Sequence, residues 1–148
     1  MAASLAAVHP LIAALVDKHG FVALDAEAFV AFAAAPGTAL VLLLEDPARY
    51  RETLDLAVIA PELAGAFPGA FRCAVATTPT AQDIAARFGV RRWPALLVLR
   101  EGGYVGAIEG LRDWDDYLAT MAALIEAPVT RPPGVGVVVR GGAPACGA

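Results

Sequence analysis

The feature that most constrains the fold of this chain is the run ALVLLL at positions 39–44, in which apolar and polar residues do not alternate. A strand with one face in solvent alternates apolar and polar side chains, whereas a strand covered on both faces reads as a continuous apolar run. The run is also far shorter than the roughly 20 residues of a membrane-spanning helix. We therefore predict a central strand in a sheet with helices packed on both faces.

The apolar patterns on either side of this run predict the other elements. Apolar residues at helical spacing indicate a first helix that Pro10 would begin, and Asp25 is placed to cap the second helix. Pro61 is expected to kink the long third helix, because proline has no amide hydrogen to donate. Gly102 and Gly103 are expected to form a tight hairpin turn. The first half is predicted as a helix within 5–18, a strand at 21–24, a helix at 25–34, the strand at 39–45 and a helix at about 50–67. The second half is predicted as a strand at 71–77, a helix at about 80–88, strands at 94–100 and 104–110, and a helix at about 113–125.

The length and charge of the chain limit its class. With 148 residues, the chain is long enough for one domain with a sizeable core. We predict that residues 1–127 form this domain and that the Pro- and Gly-rich residues 128–148 form a flexible tail. The formal net charge of −4 argues against nucleic-acid binding, which usually requires a basic face. No basic residue precedes Lys18 to supply the positive start of a secretory signal, so we expect a cytoplasmic protein without direct membrane insertion.

The cysteines and histidines do not indicate a metal site. Cys73 and Cys146 are too few and too far apart for a disulfide framework or a zinc site. Cys73 lies in a predicted strand, where we expect a small buried apolar side chain, and Cys146 lies in the predicted tail. His9 and His19 are isolated, and we expect them to cap a helix or to lie at the surface. We therefore predict neither a metal nor a cofactor.

Two stretches, IAPEL at 59–63 and FGVRRWPALLVL at 88–99, lead to a known fold. Residues 21–126 resemble a thioredoxin-like α/β fold, a central mixed sheet flanked by helices, with an extra N-terminal helix. By this resemblance Pro94 takes the place of the fold's cis-proline, and the redox Cys-x-x-Cys falls on 53–56. A thiol oxidoreductase needs one thiolate to attack and a second thiol to resolve the mixed disulfide. Because TLDL stands at these four positions, we predict that the protein has no redox activity and is not an enzyme.

A closer resemblance covers nearly all of residues 9–127. It rests on DPAR at 46–49, a Pro-Glu-Leu helix followed by phenylalanine, RFGVRRWP at 87–94, and a Gly-Gly-Tyr-x-Gly stretch, here GGYVG at 102–106, followed by tryptophan. These features are similar to those of the HyaE, HupG and HoxO accessory proteins of nickel–iron hydrogenase maturation. The resemblance implies a chaperone without catalytic activity that binds the hydrogenase small subunit or its twin-arginine export signal. Other hydrogenase maturation proteins are further candidate partners.

The twin-arginine signal that this resemblance implies needs an acidic binding surface. Such a signal presents two guanidinium groups followed by an apolar stretch, so its binding surface should place carboxylates beside an apolar groove. The acidic candidates lie in the segment that flanks the position of the lost redox motif, and they are Glu45, Asp46, Glu52, Asp55 and Glu62. Arg49 and Arg51 partly balance their charge. The dipole of the predicted helix would equally explain Asp55, and solvation of a loop would equally explain Glu45 and Asp46.

The apolar part of that surface is expected around Trp93, next to Pro94. Leu54 and Leu56 would add to it if they face outward. Packing in the core is the other interpretation of Trp93.

A basic pair, Arg91 and Arg92, stands just before this tryptophan. The two arginines would repel a twin-arginine peptide unless acids such as Asp55 pair with them. They could instead bind an acidic patch on the folded hydrogenase subunit. The residues leave both interpretations open.

Two other functions compete with the chaperone interpretation. One is a thiol-reactive protein that uses a single cysteine, Cys73 or Cys146, which would require a thiol of lowered pKa. The other is a structural subunit of a larger maturation complex, with a fixed interface at its tryptophan–proline edge.

The residues near the last helix are expected to have structural roles. Tyr104 and Trp114 are expected to pack the hairpin and the helix. Asp113, Asp115 and Asp116 stand at the helix start, where capping and the helix dipole account for them. We assign none of these five residues to the binding surface.

Overall fold

The computed structural model describes residues 9–133, so Cys146 and most of the predicted tail lie outside the described residues. The order of helices and strands predicted from the sequence is confirmed. The first five elements are α1 (Pro10–Asp17), β1 (Val22–Ala23), α2 (Ala26–Ala34), β2 (Thr38–Leu44) and α3 (Glu52–Gly65). The last five are β3 (Arg72–Thr77), α4 (Thr80–Phe88), β4 (Ala95–Arg100), β5 (Gly103–Glu109) and α5 (Trp114–Glu126). Within the described residues, no helix combines the length and the apolar character needed to cross a membrane.

The five strands form one mixed sheet in the order β1-β3-β2-β4-β5. β3 runs parallel to β1 and β2, and β4 runs antiparallel to β2 and β5. β2 is therefore the central strand, and its residues from Ala39 to Leu44 are completely buried. Successive side chains of a strand point to opposite faces, so a strand buried at every position must be covered on both faces. The central strand predicted from the apolar run is confirmed.

Helices cover the two faces of the sheet unequally. Alternate residues of β2 pack with side chains of α1, α3 and α5, and the residues between them pack with α2 and α4. α3 runs as one helix through Pro61. Gly106 of β5 allows α5 to lie close to the sheet, because a Cβ atom there would come within 2.4 Å of Cδ2 of Leu124.

Two helix starts have the predicted caps. α1 begins at Pro10, and the side chain of His9 accepts a hydrogen bond from the amide of Leu11 at 3.0 Å. Asp25 accepts one from the amide of Ala28 at 2.7 Å at the start of α2. These bonds satisfy amide groups that have no partner within the first turn of a helix.

The hairpin turn between β4 and β5 lies one residue earlier than predicted. Its central residues are Glu101 and Gly102, with φ angles of 50° and 86°, and Gly103 is the first residue of β5. A two-residue turn of this kind needs a positive φ at both central positions, and here Glu101 adopts one despite its side chain. The amide of Glu101 donates to the carbonyl of Gly37 at 3.3 Å, which holds the turn beside the start of β2.

The chain after α5 still contacts the sheet. The amide of Thr130 donates to the carbonyl of Tyr104 at 2.7 Å and forms an isolated antiparallel bridge with β5. Val129 lies so close to Gly103 that a Cβ atom there would come within 2.5 Å of it. The first residues of the predicted tail therefore pair with the domain. Residues 134–148 lie outside the described chain, and their assignment to a flexible tail stays a prediction.

Candidate functional site

Four loops meet at one end of the sheet, which we call the site end. Leu44 pairs with Thr77, Leu43 with Ala95, and Ala95 with Glu109, so the loops after β2, β3 and β5 and the loop before β4 lie side by side. These loops span 45–51, 78–79, 89–94 and 110–113. The position of the lost redox motif follows the first of them, and the predicted arginine and proline residues lie in the third.

The residues at the position of the redox motif lie in the first turns of α3. Thr53 is completely buried, and its hydroxyl donates to the carbonyl of Glu45 at 3.2 Å. Leu56 is also completely buried, and Leu54 is half-buried against the core. The condition that these leucines face outward is therefore not met by Leu56 and is met only in part by Leu54.

Glu45 carries the buried carboxylate of the site end, with only 5% of its surface exposed. It accepts hydrogen bonds from the hydroxyl of Thr78, from the amide of Asp46 at 2.9 Å and from the side-chain amide of Gln82 at 2.7 Å. Burial alone would raise the pKa of Glu45, but these bonds and the positive charge of Arg49 hold that pKa below its usual range. The charged carboxylate is thus occupied within the chain, which corrects the expectation that Glu45 faces a partner.

Three other predicted acids, Asp46, Glu52 and Asp55, are exposed. The carboxylate of Asp46 accepts a hydrogen bond from the amide of Ala48 at 3.0 Å, which shapes the turn after β2. Within residues 9–133, none of the three carboxylates forms an ion pair. The structure therefore leaves three unpaired carboxylates at the start of α3 and in the loop before it, in the same segment as the exposed Arg49 and Arg51.

The loop before β4 is held by a carboxylate that sequence reasoning missed. Glu109, at the end of β5, accepts hydrogen bonds from the amides of Arg91 and Arg92 at 2.7 and 2.8 Å. The guanidinium groups of both arginines are exposed and bind no other residue of the described chain. The pairing with Asp55 that would have neutralised them is not formed. Glu109 thus fixes the backbone of this loop while both positive charges remain in solvent.

Trp93 exposes less apolar surface than its place before Pro94 in the sequence indicated. The Trp93–Pro94 peptide bond is cis, and Pro94 is buried. Trp93 is half-buried and packs against the apolar cluster that lies between the sheet, α2 and α4. The interpretation of Trp93 as a core residue therefore accounts for much of its side chain.

An exposed apolar surface with a cavity lies instead between α3 and the start of α5. Val58 is 54% exposed and Trp114 is 43% exposed. Together with Ile59 and Glu62 they line a shallow cavity of about 260 Å³. We call these four residues the α3–α5 patch. The expectation that Trp114 is a packing residue is therefore met only in part.

Helical spacing could have revealed one side of this patch. Leu56 and Leu63, seven residues apart, are buried on one face of α3, and Val58 is two residues, or about 200°, from Leu56. A valine on the solvent face is the signal that was missed. The sequence gave less indication that Trp114 is exposed. It stands three residues before the buried Tyr117, so its spacing is that of a residue on the buried side of α5.

The other residues near α5 behave in part as predicted. Tyr104 is buried and its ring stacks on that of Phe88 with centroids 6.3 Å apart, which confirms its packing role. Asp113 precedes α5, but its side chain makes no capping hydrogen bond. Asp116 accepts a hydrogen bond from Arg112 at 3.1 Å as an exposed ion pair.

The described cysteine is poorly suited to chemistry. Cys73 is half-buried in β3, and burial raises the pKa of its thiol to about 11. The reactive form of a cysteine is the thiolate, so a thiol of this pKa is almost wholly inactive near neutral pH. Residues 9–133 also contain no group of three or more His, Cys, Asp or Glu side chains that could hold a metal ion.

Comparison with known proteins shows the family of this chain. The sequence profile of the Hydrogenase-1 expression protein HyaE matches residues 11–117. The chain belongs to the HyaE family. It is 37% identical over 135 residues to the Hydrogenase expression/formation protein HoxO of Cupriavidus necator, across 90% of this chain and 84% of HoxO. It is 38% identical over 120 residues to the Hydrogenase expression/formation protein HupG of Rhodobacter capsulatus, across 80% of this chain and 87% of HupG.

A solved structure shows the same fold at lower identity. A mutant thioredoxin from Halobacterium salinarum superposes on 73% of this chain and 91% of its own, with a TM-score of 0.55 and 20% identity. The thioredoxin-like fold predicted from the sequence is confirmed. Membership of the HyaE family, rather than this likeness, connects the chain with hydrogenase maturation.

Proposed function

We propose that this HyaE-family protein is a chaperone without redox or other enzymatic activity that binds the hydrogenase small subunit, or its twin-arginine signal peptide, in the cytoplasm before assembly and export. The observation that carries the proposal is the set of exposed, unpaired carboxylates of Asp46, Glu52 and Asp55. Asp55 lies within positions 53–56, where the resemblance places the redox cysteines, and Asp46 and Glu52 precede these positions in the chain. Membership of the HyaE family indicates a role in hydrogenase maturation. The three carboxylates indicate that the partner is recognised through its positive charge.

Charge alone is too weak to account for such a complex. An exposed ion pair contributes about 0.2–1 kcal/mol, so two arginines would supply at most about 2 kcal/mol. A micromolar complex needs about 8 kcal/mol. The remainder must come from burial of apolar surface, at about 25 cal/mol per Å². A recognition surface must therefore join the carboxylates to an apolar region.

Glu45 takes part in this proposal by positioning a neighbour. Its carboxylate binds Thr78 and Gln82 across the site end and also accepts a hydrogen bond from the amide of Asp46. These bonds hold the start of the loop that carries Asp46. The exposed carboxylate of Asp46 is thereby presented from a fixed backbone.

Arg91 and Arg92 favour a second contact, with the folded subunit. They are exposed at the same end of the sheet and would repel the arginines of a signal peptide. An acidic patch on the mature subunit would instead be attracted to them. The signal peptide and the folded subunit would then be recognised by opposite charges.

The first experiment is calorimetric titration of the full chain with a synthetic hydrogenase small-subunit signal peptide at two salt concentrations. The matched peptide has both arginines replaced by glutamine. We expect the native peptide to bind more weakly at high salt, and the glutamine peptide to bind much more weakly at either concentration, because screening weakens exposed ion pairs. Equal binding of the two peptides would contradict recognition by carboxylates. If neither the peptide nor the small subunit binds, the proposed function is wrong.

A variant of the protein tests recognition by carboxylates through a change in the chaperone instead of the peptide. The triple variant Asp46→Asn, Glu52→Gln, Asp55→Asn removes the exposed carboxylates, and we expect it to lose most of the salt-sensitive binding. The matched control removes three exposed acids at the opposite end of the molecule, and it is Asp17→Asn, Glu101→Gln, Glu126→Gln. Equal losses in the two triple variants would show an effect of net charge rather than a site.

A further inference from the structure

The α3–α5 patch joins an open apolar surface to unpaired acids. We infer that Val58, Ile59 and Trp114 bind the aliphatic part of a peptide segment in which basic residues stand beside a run of aliphatic side chains. The inference rests on the proposed function only for the identity of the protein that carries this segment. It adds an apolar part to the acidic recognition surface. This part lies at the α3–α5 patch rather than around Trp93.

The shape of the patch suits side chains of a peptide. Tryptophan is usually largely buried, and aromatic side chains that remain open at a surface are enriched where partners bind. The cavity of about 260 Å³ lies just below the roughly 300–1,000 Å³ typical of small-molecule sites. It is therefore better matched to a few aliphatic side chains than to a whole cofactor.

The charge on α3 indicates what should flank those side chains. Asp55, Val58, Ile59 and Glu62 follow one another at helical spacing, so they share one side of the helix. Glu62 itself lines the cavity. Neither Asp55 nor Glu62 makes a hydrogen bond or an ion pair through its side chain with another described residue. The apolar positions thus have an unpaired carboxylate on either side along the helix.

The start of α5 adds to the same charge. Asp113 and Asp115 flank Trp114 in the chain, and both are exposed without an ion-pair partner among residues 9–133. The neighbouring Arg112 is already paired with Asp116 at 3.1 Å. Four unpaired carboxylates therefore lie in or beside the patch, against one exposed arginine, Arg51, a turn before Asp55 on α3. This excess of negative charge complements arginine or lysine beside an aliphatic run.

This charge also makes a second copy of the chain a poor occupant. In a two-fold symmetric dimer the same surface contacts itself, so the acids of the patch in one copy would lie near those of the other copy. Such like-charge contacts are unfavourable. A peptide segment with basic residues would instead be attracted to these carboxylates.

The patch lies within reach of the carboxylates at the start of α3. Glu52 and Val58 are six residues apart on one helix, which corresponds to about 9 Å along its axis. An extended peptide covers that distance in about three residues. One segment can therefore contact Glu52 and Asp55 with its basic residues and reach Val58 with the aliphatic residues that follow.

A designed peptide separates this inference from the proposed function. The probe is a fluorescently labelled peptide of two arginines followed by a short run of leucine and alanine, and its dissociation constant is measured by anisotropy with the full chain. We expect Val58→Ser and Trp114→Ala each to weaken binding about tenfold, since each removes apolar contact. The control for the first is Val30→Ser, an equally simple change at a 62% exposed valine on α2, on the other face of the sheet. The control for the second is Leu111→Ala, which is exposed but does not line the cavity.

A second peptide, with the aliphatic run replaced by serine, completes the design. It should bind weakly and be insensitive to Val58→Ser and Trp114→Ala. Failure of the designed peptide to bind the unaltered chain would overturn the inference, as would equal binding to the patch variants and their controls. Sedimentation that shows a dimer dissociated by Val58→Ser would also overturn it, because the patch would then be a self-contact.

The native hydrogenase signal peptide distinguishes the two proposals. If it binds the unaltered chain and the patch variants equally, the α3–α5 patch is not the apolar half of the site, and the proposed function stands. If the designed peptide binds at the patch but neither the native peptide nor the small subunit binds the chain, the patch assignment stands and the proposed function is wrong.

Discussion

The two ends of the sheet use arginine in opposite ways. At the end away from the site, Arg72 donates to the carbonyls of Phe32 and Ala35 at 2.6 and 3.0 Å. Its guanidinium also lies 4.7 Å from the centre of the Phe32 ring. These carbonyls belong to the last turn of α2 and to the residue after it, where a helix has no backbone donors left for them. Arg72 therefore completes the end of a helix.

Arg100 does the same for α5. It donates to the carbonyls of Ala127 and Ile125 at 2.6 and 3.0 Å, and to the hydroxyl of Thr38 at 3.1 Å. A positive charge is also favourable at the C-terminal end of a helix. The guanidinium thus joins the end of α5 to Thr38, the first residue of β2.

At the site end, Arg91 and Arg92 have no such partners within the described chain. Their backbone is held by Glu109, so the loop keeps its shape without help from either guanidinium. Arginine is structural where it meets the carbonyls of a helix end, and it is available to a partner where another side chain already holds its backbone. Substitutions at the two kinds of arginine, and at the residues that hold them, test this difference between the two ends of the sheet.

The largest effect is expected for Arg100→Met, which keeps an apolar stem but leaves the carbonyls at the end of α5 without donors. Hydrogen bonds from a charged group contribute about 1.5–3 kcal/mol, so we expect the free energy of unfolding to fall by about 3 kcal/mol. Urea denaturation at pH 7 measures it. The matched change Arg91→Met should alter the free energy of unfolding by less than about 0.5 kcal/mol. Similar losses in the two variants would break the comparison.

Glu45→Gln should have the next largest effect, about 2 kcal/mol near neutral pH, because an amide cannot accept all the hydrogen bonds that the carboxylate does. The pKa of Glu45 in the folded chain lies below its ordinary value of 4.5. Its charge therefore stabilises the fold above that value, and this contribution is lost as pH falls through the lowered pKa. The stability difference between the two proteins should be constant between about pH 6 and 8 and shrink below about pH 4. A difference that grows with acidity would contradict this assignment.

Glu109→Ala should cost about 1 kcal/mol, since the amides of Arg91 and Arg92 lose their acceptor but can turn to water. Hydrogen exchange at these two amides should become faster, while exchange in the core of β4 should not change. The control is Glu126→Ala, an exposed glutamate at the end of α5. Unchanged exchange at both arginines would show that Glu109 does not hold the loop.

The smallest effect on stability is expected for the double variant Arg91→Ala, Arg92→Ala, within about 0.5 kcal/mol of the unaltered chain. Its consequence should appear only in binding. If the arginines contact the folded small subunit, binding of that subunit should weaken and lose part of its salt dependence. A variant that unfolds at lower urea concentration, yet binds the subunit normally, would assign these arginines a structural role.

The architecture could be predicted from the sequence because its signals are local. The continuous apolar run at 39–44 marked the doubly covered strand, and helical spacing marked each helix within a few residues of its observed ends. The error in the hairpin turn has a physical reason. Glu101 adopts a positive φ that the prediction reserved for the glycine pair, so the turn begins one residue earlier.

The site was harder to predict because its features depend on residues far apart in the chain. Glu45 is buried by partners at Thr78 and Gln82, 33 and 37 residues away, and no local pattern reveals them. The surroundings of the two tryptophans depend on distant residues in the same way. Trp93 packs beneath the helices of one face, and Trp114 is left open between two helices of the other.

The hydrogen bond from Thr130 to Tyr104 has a practical consequence. It fixes the point where the described chain leaves the sheet, beside the start of β5. Tyr104 is five residues from Glu109, so this exit point is about 17 Å from the site end. A fluorophore or an affinity handle joined directly after Pro133 would begin on the side of the molecule away from the four loops. A sensor chip loaded through such a handle would carry the protein with its recognition surface turned toward the flowing solution.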